Sequence, residues 1–420
     1  MTTVSGRKAR YRRGGFPTKE KAVAARQILL DGPSGEAAAG AWTLARWLRY
    51  WLKLAEPGLR PSTVHSYRDH IERYLIPALG RITLADLTPR RLQAAIDLLA
   101  RQRTRQGTRV AASTVDRVRA TLRSALNAAV REGLLVGNPL AQVRIARPVR
   151  PHPVIWTDER VAAWRRDGIR PPVAVWTLRQ LITFLNGVEN DRLAALWWLI
   201  ALRGLRRGEA AGLHRDDLDS ASRELAVSRQ LVALPGELCC GPPKSRASSR
   251  TIALDDEGTR RLARQAVQQG IELMEHRFSD QRRSDARART GPGWQQGEAL
   301  FTYADGRPIR PEYLTHRFHV LVSELDLPPI RLHDLRHGAA TIALASRTDL
   351  KVIQQMLGHS SIVTTADTYT SVLPEAAHRA AQATADMIIE AARSAPGTRR
   401  SGVPVTHIPA AALESGYCQT

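Results

Sequence analysis

The feature that most constrains this chain is the stretch RLHDLRHGAATIALASRTDLKVIQQMLGHSSIVTTADTYTSV, residues 331 to 372. Its apolar residues recur at helical period, which predicts a helix starting near His333. A second helix is predicted from about Leu350 to Leu357, ended by Gly358, and a short third after Thr364 or Thr365 carrying Tyr369. On the first helix, His333 and Arg336 stand at i and i+3 and so share a face. An imidazole and a guanidinium aimed the same way suit a phosphate, because the planar guanidinium fork grips two oxygens at once. A tyrosine delivered just beyond a tight turn and a cap of Thr and Asp is a candidate nucleophile. Singly, each residue has a plainer reading, an exposed histidine or a core tyrosine. Their spacing is what argues for chemistry.

Together these residues resemble the catalytic box of the tyrosine recombinase (phage integrase) family, whose pattern runs H-x-x-R, then L-G-H, then a nucleophilic Tyr. The chain reads HDLR at 333 to 336, LGH at 357 to 359 and DTY ending at Tyr369. The family's earlier G-L-R-x-x-E context is matched by GLRRGE, residues 204 to 209, with Arg206 and Glu209 at the functional places. Its hairpin lysine is matched by Lys244 in PPKSRASSRTIAL, before a strand predicted from Arg250 to Leu254. The resemblance covers roughly residues 40 to 393. It departs from the family at Arg203, where a Thr is usual, and in TYTSV after the nucleophile position.

The resemblance implies a mainly α chain with a small antiparallel β-sheet in its catalytic domain, an α+β fold, closing on DNA as a C-shaped two-domain clamp. It also implies strand cutting by Tyr369, which would hold the 3′-phosphate covalently and so conserve bond energy without ATP, metal or any other cofactor. Arg206 and Arg336 would clamp the pentavalent phosphate, and Lys244 would protonate the departing 5′-oxygen. His333 would act as base on the phenol or as a phosphate donor, His359 as a further donor, and Glu209 would orient Arg206 or His333. The expected partners are double-stranded DNA attachment sites and a homotetramer on DNA, with an excisionase or host DNA-bending protein as further candidates. The expected task is integration or excision of a phage or integrative plasmid. The alternatives are a host chromosome-dimer or transposon resolvase of the same chemistry, and a non-catalytic DNA-binding regulator. A metal-dependent carboxylate-triad transposase is disfavoured, since Asp216, Asp217 and Asp219 cluster on one turn.

Charge agrees with a polyanionic partner: 62 Lys and Arg against 40 acids leave a formal net charge of +22. The three cysteines, Cys239, Cys240 and Cys418, form no C-x-x-C pair, which points to a reducing compartment, the bacterial cytoplasm with its nucleoid. The longest apolar run, LAALWWLIAL at 193 to 202, is too short to span a bilayer and predicts a buried core helix.

In chain order, residues 1 to 41 read as a basic N-terminal extension, with five basic residues from Arg7 to Arg13, a reduced arm-type DNA-binding segment and a linker. Residues 42 to 143 spell four amphipathic helices, the fourth beginning at Ser113, and resemble the helical core-type DNA-binding domain. Arg60, Arg68, Arg101, Arg103, Arg105, Arg109, Arg117, Arg119 and Arg123 are its candidate phosphate contacts. Residues 144 to 176 read as a proline-rich interdomain linker with one short helix after Thr157. Residues 177 to 393 would be the catalytic domain, with strands near Glu224 to Leu234 and Thr251 to Leu254, a long helix after Glu257, and a loop from 279 to 299. Its last helix, about Pro374 to Ala392, would dock on a neighbouring subunit by resemblance or pack at home. Residues 394 to 420 read as a flexible tail.

Overall fold

The structure is a computed structural model that describes residues 18–20, 23, 42–104, 107–144, 151–280, 299–361, 382 and 385–387. The first core is all-helical. Helix α1 (Leu44–Ala55) opens on Thr43, whose hydroxyl accepts the Arg46 amide, and buries Leu44, Trp47, Leu48, Trp51 and Leu52. The Trp47 indole donates to Ala125 O at 3.0 Å and ties α1 to a helix eighty residues on. Helix α2 (Pro61–His70) passes through a π-turn, Ile71–Leu75, into α3 (Ile76–Leu79). Helix α4 (Pro89–Arg101) has a Thr88 cap and proline at its first position, and buries Leu92, Ile96 and Leu99. Helix α5 (Ala112–Arg131) begins one residue before the expected Ser113 and buries Val115, Val118, Leu122, Leu126 and Ala129. Gly133, at φ +72°, follows its end. Each fully buried Leu here contributes about 1.5–3 kcal/mol.

The second core begins inside the stretch read as a linker. Strand β1 (Val154–Ile155) pairs in parallel with β2 (Ala174–Val175), and between them α6 (Asp158–Asp167) runs from its Thr157 cap to Gly168. Trp156 and Trp176 are buried, their indoles donating to Pro329 O and Pro328 O. Two tryptophans next to short apolar strands therefore override the proline count from Val154 onward.

Helix α7 (Leu178–Gly187) starts in a capping box between Thr177 and Gln180. Helix α8 (Ala194–Arg203) is the expected core helix, with Leu196 and Trp197 fully buried, and α9 (Arg207–Ala211) follows one turn on. Strands β3 (Leu218–Asp219), β4 (Glu224–Val227) and β7 (Arg250–Ala253) form an antiparallel sheet, while β5 (Gln230–Leu234) and β6 (Glu237–Gly241) form a separate hairpin. The strand region expected near Glu224 to Leu234 is thus parted at Ser228 and Arg229, whose side chains both turn back to Asp217. Helix α10 (Asp256–Asp280) includes Ser279 and Asp280, and Ala299 is buried in a β-bridge to His214, so both ends of the expected loop are ordered structure. The rest of that loop lies outside the described residues.

Helices α11 (Pro311–Glu324), α12 (Asp334–Ala345) and α13 (Leu350–Leu357) complete the core, with Leu314, Phe318 and Leu335 among its buried residues. The chain is mainly helical with small antiparallel sheets, as expected, plus the parallel β1–β2 pair. Among the described residues, no helix is long and apolar enough to cross a membrane.

Candidate active site

The site is assembled from three chain turns that meet at the C-terminal end of α13. The first follows α8, where Gly204 at φ +65° stops the helix and leaves Arg206 capping α9. The Arg206 amide donates to Glu209 Oε2 at 3.1 Å and its Nη1 to Glu209 Oε1 at 2.5 Å. The same guanidinium reaches Ser248 Oγ at 3.3 Å and Gly358 O at 3.4 Å. Its side chain keeps 34% exposure while that of Glu209 has 1%, so the cation faces outward over a buried anion. Burial pushes the Glu209 carboxyl up, but Arg250 and then Arg206 outweigh it and hold the group below the usual carboxylate range. Glu209 is thus bonded to Arg206, one of the two partners expected for it.

The second turn is the start of α12. His333 sits at its N-cap, exposed, whereas Arg336 is 2% exposed and donates to Gly204 O at 2.6 Å and Leu357 O at 2.5 Å. The third is the end of α13, where Gly358 takes φ +66° and the His359 amide returns to Gln354 O. Two guanidiniums therefore meet the carbonyls at one helix C-terminus, the end that carries partial negative charge. Satisfying those carbonyls fixes both arginines in place before any ligand arrives.

Both imidazoles are held neutral. The His333 pKa is lowered to about 4, by the packed protein around the ring and then by His337 and Arg336, although its edge reaches solvent. That of half-buried His359 is lowered to about 3, by burial and then by Arg336 and Arg206. His337, edge-on to His333 with ring centroids 5.6 Å apart, is lowered too, chiefly by burial. A neutral imidazole can accept a proton or donate one N–H, and an arriving phosphate would favour its charged form.

Lys244 is exposed on the loop between β6 and β7. The two carbonyls before it, Pro242 O and Pro243 O, accept from Arg60 at 3.4 and 2.9 Å. Arg60, expected to contact phosphate, is engaged across the two cores instead. Arg68, Arg103 and Arg119 likewise find partners within the chain, at Glu56, Gly107 O and Asp116. Arg203, in the place where the family usually has Thr, pairs with Asp255. Tyr369, the helix from Pro374 to Ala392 apart from isolated positions, Arg105 and the tail lie outside the described residues.

Sequence reasoning missed Arg250 and Ser248. Ser248 is 2% exposed and lies within hydrogen-bond reach of Arg206; the side chain of Arg250 is 7% exposed and pairs with Glu209. The signal was present. Arg250 shares a strand face with buried Ile252, and an arginine on an inward face needs a buried acid.

Residues 177–376 match the phage integrase family and residues 43–100 the phage integrase N-terminal SAM-like domain. The chain is 24% identical over 263 residues to the ICEBs1 integrase of Bacillus subtilis, an alignment covering 62% of each protein. It is 25% identical over 363 residues to an integrase of Saccharopolyspora erythraea, covering 76% of this chain and 77% of the relative. Among solved structures, the Tn1549 transposon integrase in complex with a circular intermediate DNA superposes with a TM-score of 0.60 at 18% identity, covering 82% of this chain and 99% of that one. A lambda integrase tetramer bound to a Holliday junction superposes at 0.51 and 17% identity, covering 87% and 90%. The chain belongs to the tyrosine recombinase (phage integrase) family, a class of enzymes that break and rejoin DNA.

Proposed function

We propose that this recombinase integrates or excises a mobile element, cutting each strand of a duplex attachment site with Tyr369 and rejoining it by reversal of the same step. The phenolate oxygen attacks the scissile phosphorus, the bond to the 5′-oxygen breaks, and that oxygen takes a proton from Lys244. A 3′-phosphotyrosine carries the bond energy to the second strand, where the incoming 5′-hydroxyl releases the tyrosine. Arg206 and Arg336 hold the non-bridging oxygens, Glu209 fixes Arg206, neutral His333 accepts the phenol proton, and His359 donates a hydrogen bond. The reaction runs in the cytoplasm on the nucleoid, on a homotetramer that brings two sites together, with an excisionase or DNA-bending protein setting direction.

The observation that supports this most is the placing of Arg206 and Arg336. They come from separate turns, are anchored on Gly358 O and Leu357 O, and sit beside two imidazoles held neutral. Such a site offers two fixed charges to one phosphate and a base beside it. The test is Tyr369→Phe on a nicked suicide substrate. The variant is expected to bind the site as the wild type does and to form no covalent adduct; an adduct trapped by the Phe variant would reject Tyr369 as nucleophile.

A further inference from the structure

We infer that Arg250 is a positioning residue for the phosphate clamp, a side chain that sets Arg206, Ser248 and the end of α13 relative to one another. Its guanidinium spends three nitrogens on three parts of the site. Nη2 donates to Glu209 Oε2 at 3.1 Å, on the helix that Arg206 caps. Nη1 donates to Ser248 O at 2.9 Å, on the loop that carries Lys244. Nε donates to Met356 O at 2.7 Å, one residue before the carbonyl that receives Arg336 and two before the carbonyl that receives Arg206. All three donations leave one rigid planar fork, which a lysine ammonium on a flexible stem cannot reproduce.

The surroundings are built around that fork. Arg250 lies opposite Val227 in the β4–β7 ladder, with Leu225, Val227 and Ile252 on the same buried face, so its charge has little access to water. Glu209 faces two cations, Arg206 and Arg250, and its two oxygens are divided between them. Gly358 is pressed against the assembly: a Cβ there would stand 2.9 Å from Arg250 Nη1 and 2.9 Å from Ala247 O. Withdrawing the Arg250 side chain would leave Glu209 with one cation, free the Ser248 hydroxyl to drift from Arg206, and release the α13 terminus on which both clamp arginines are anchored.

This inference rests on the assignment of Arg206 to the scissile phosphate. The experiment compares Arg250→Met and Arg250→Lys with Arg206→Ala in the full-length protein, measuring site-specific DNA affinity, single-turnover adduct formation on a suicide substrate, and thermal midpoint. Arg250→Met is expected to keep DNA affinity within about threefold while adduct formation falls by about a hundredfold, the cost of a clamp displaced by about an ångström. Arg250→Lys is expected to recover the thermal midpoint and not the rate. Combined with Arg206→Ala, Arg250→Met should cost less than it does alone, because the part of its effect that passes through the Arg206 guanidinium is already gone. A Lys variant cleaving within threefold of wild type, or a fully additive double variant, overturns the inference. Should Arg250→Met fail to fold, the Lys variant decides alone. Normal cleavage by Arg206→Ala would instead reject the site assignment.

Discussion

At the residue scale, Arg336 combines two properties that are seldom joined: it is almost wholly buried and it is the phosphate ligand proposed above. Its donations to Gly204 O and Leu357 O close two helix termini that would otherwise be left with unpaired carbonyls. Arg336→Ala therefore acts twice. Loss of a fixed oxyanion donor costs roughly 2.7–4 kcal/mol, about two to three decades in adduct formation, and the orphaned carbonyls lower stability as well. Suicide-substrate kinetics and urea midpoints measure the two effects separately; cleavage at wild-type rate would remove Arg336 from the clamp. The histidines give a second expectation, with a definite sign. His359 titrates near 3 when folded, against about 6.5 for a free imidazole, so below that higher value the unfolded chain binds more protons than the native one. Stability conferred by the neutral ring is complete above pH 6.5 and drains away as pH falls from there toward 3. His359→Gln should flatten the dependence of the urea midpoint on pH between 6.5 and 4, and an unaltered slope would mean that the ring is not held neutral.

At the element scale, the decisive devices are helix stops. Gly204 and Gly358, both left-handed, end α8 and α13 where Arg206 and His359 must turn toward the site. Gly358→Ala places a Cβ against Ala247 O and Arg250 in a backbone conformation that costs L residues about 1–3 kcal/mol, so a destabilisation of at least that size and a larger loss of cleavage are expected. A folding midpoint unchanged in a denaturant titration would show that the turn is not under this constraint. The stop at Gly358 was legible in the sequence, because a glycine after a periodic apolar run has one common use; so was the start of α6 after Thr157. The site residues brought together here were legible too, through their motif spacings. What escaped was long-range. The break at Ser228 depends on Asp217, the packing of the supposed linker on Pro328 and Pro329, and the burial of Arg250 on Glu209, forty-one positions away. Local period carries no information about such partners.

At the scale of the whole molecule, the helical core and the core bearing the clamp meet where α2 approaches β5, and there Arg60 bridges to the lysine loop. It stands at the N-cap of α2 and binds the two carbonyls preceding Lys244, one of which also accepts from Gln230 Nε2. An arginine on a DNA-binding helix would ordinarily be read as a phosphate ligand. Here its Nη1 and Nη2 are already engaged, and the segment they hold carries the proposed general acid. The two roles leave different traces. A phosphate contact contributes about 0.9 to the slope of log affinity against log salt, whereas a tie between cores contributes nothing to it. Arg60→Ala is expected to leave that slope unchanged and to slow adduct formation by about tenfold, because the loop presenting Lys244 loses its anchor. A substrate with a 5′-bridging phosphorothiolate, whose sulfur leaves without protonation, should recover most of that loss. Arg123→Ala, which removes an exposed arginine from α5, serves as the comparison and should lower the slope. If Arg60→Ala lowered the slope by about 0.9 and cleaved normally, the guanidinium would be leaving the loop for a phosphate when DNA enters, and the contact between the cores would belong to the DNA-free state alone.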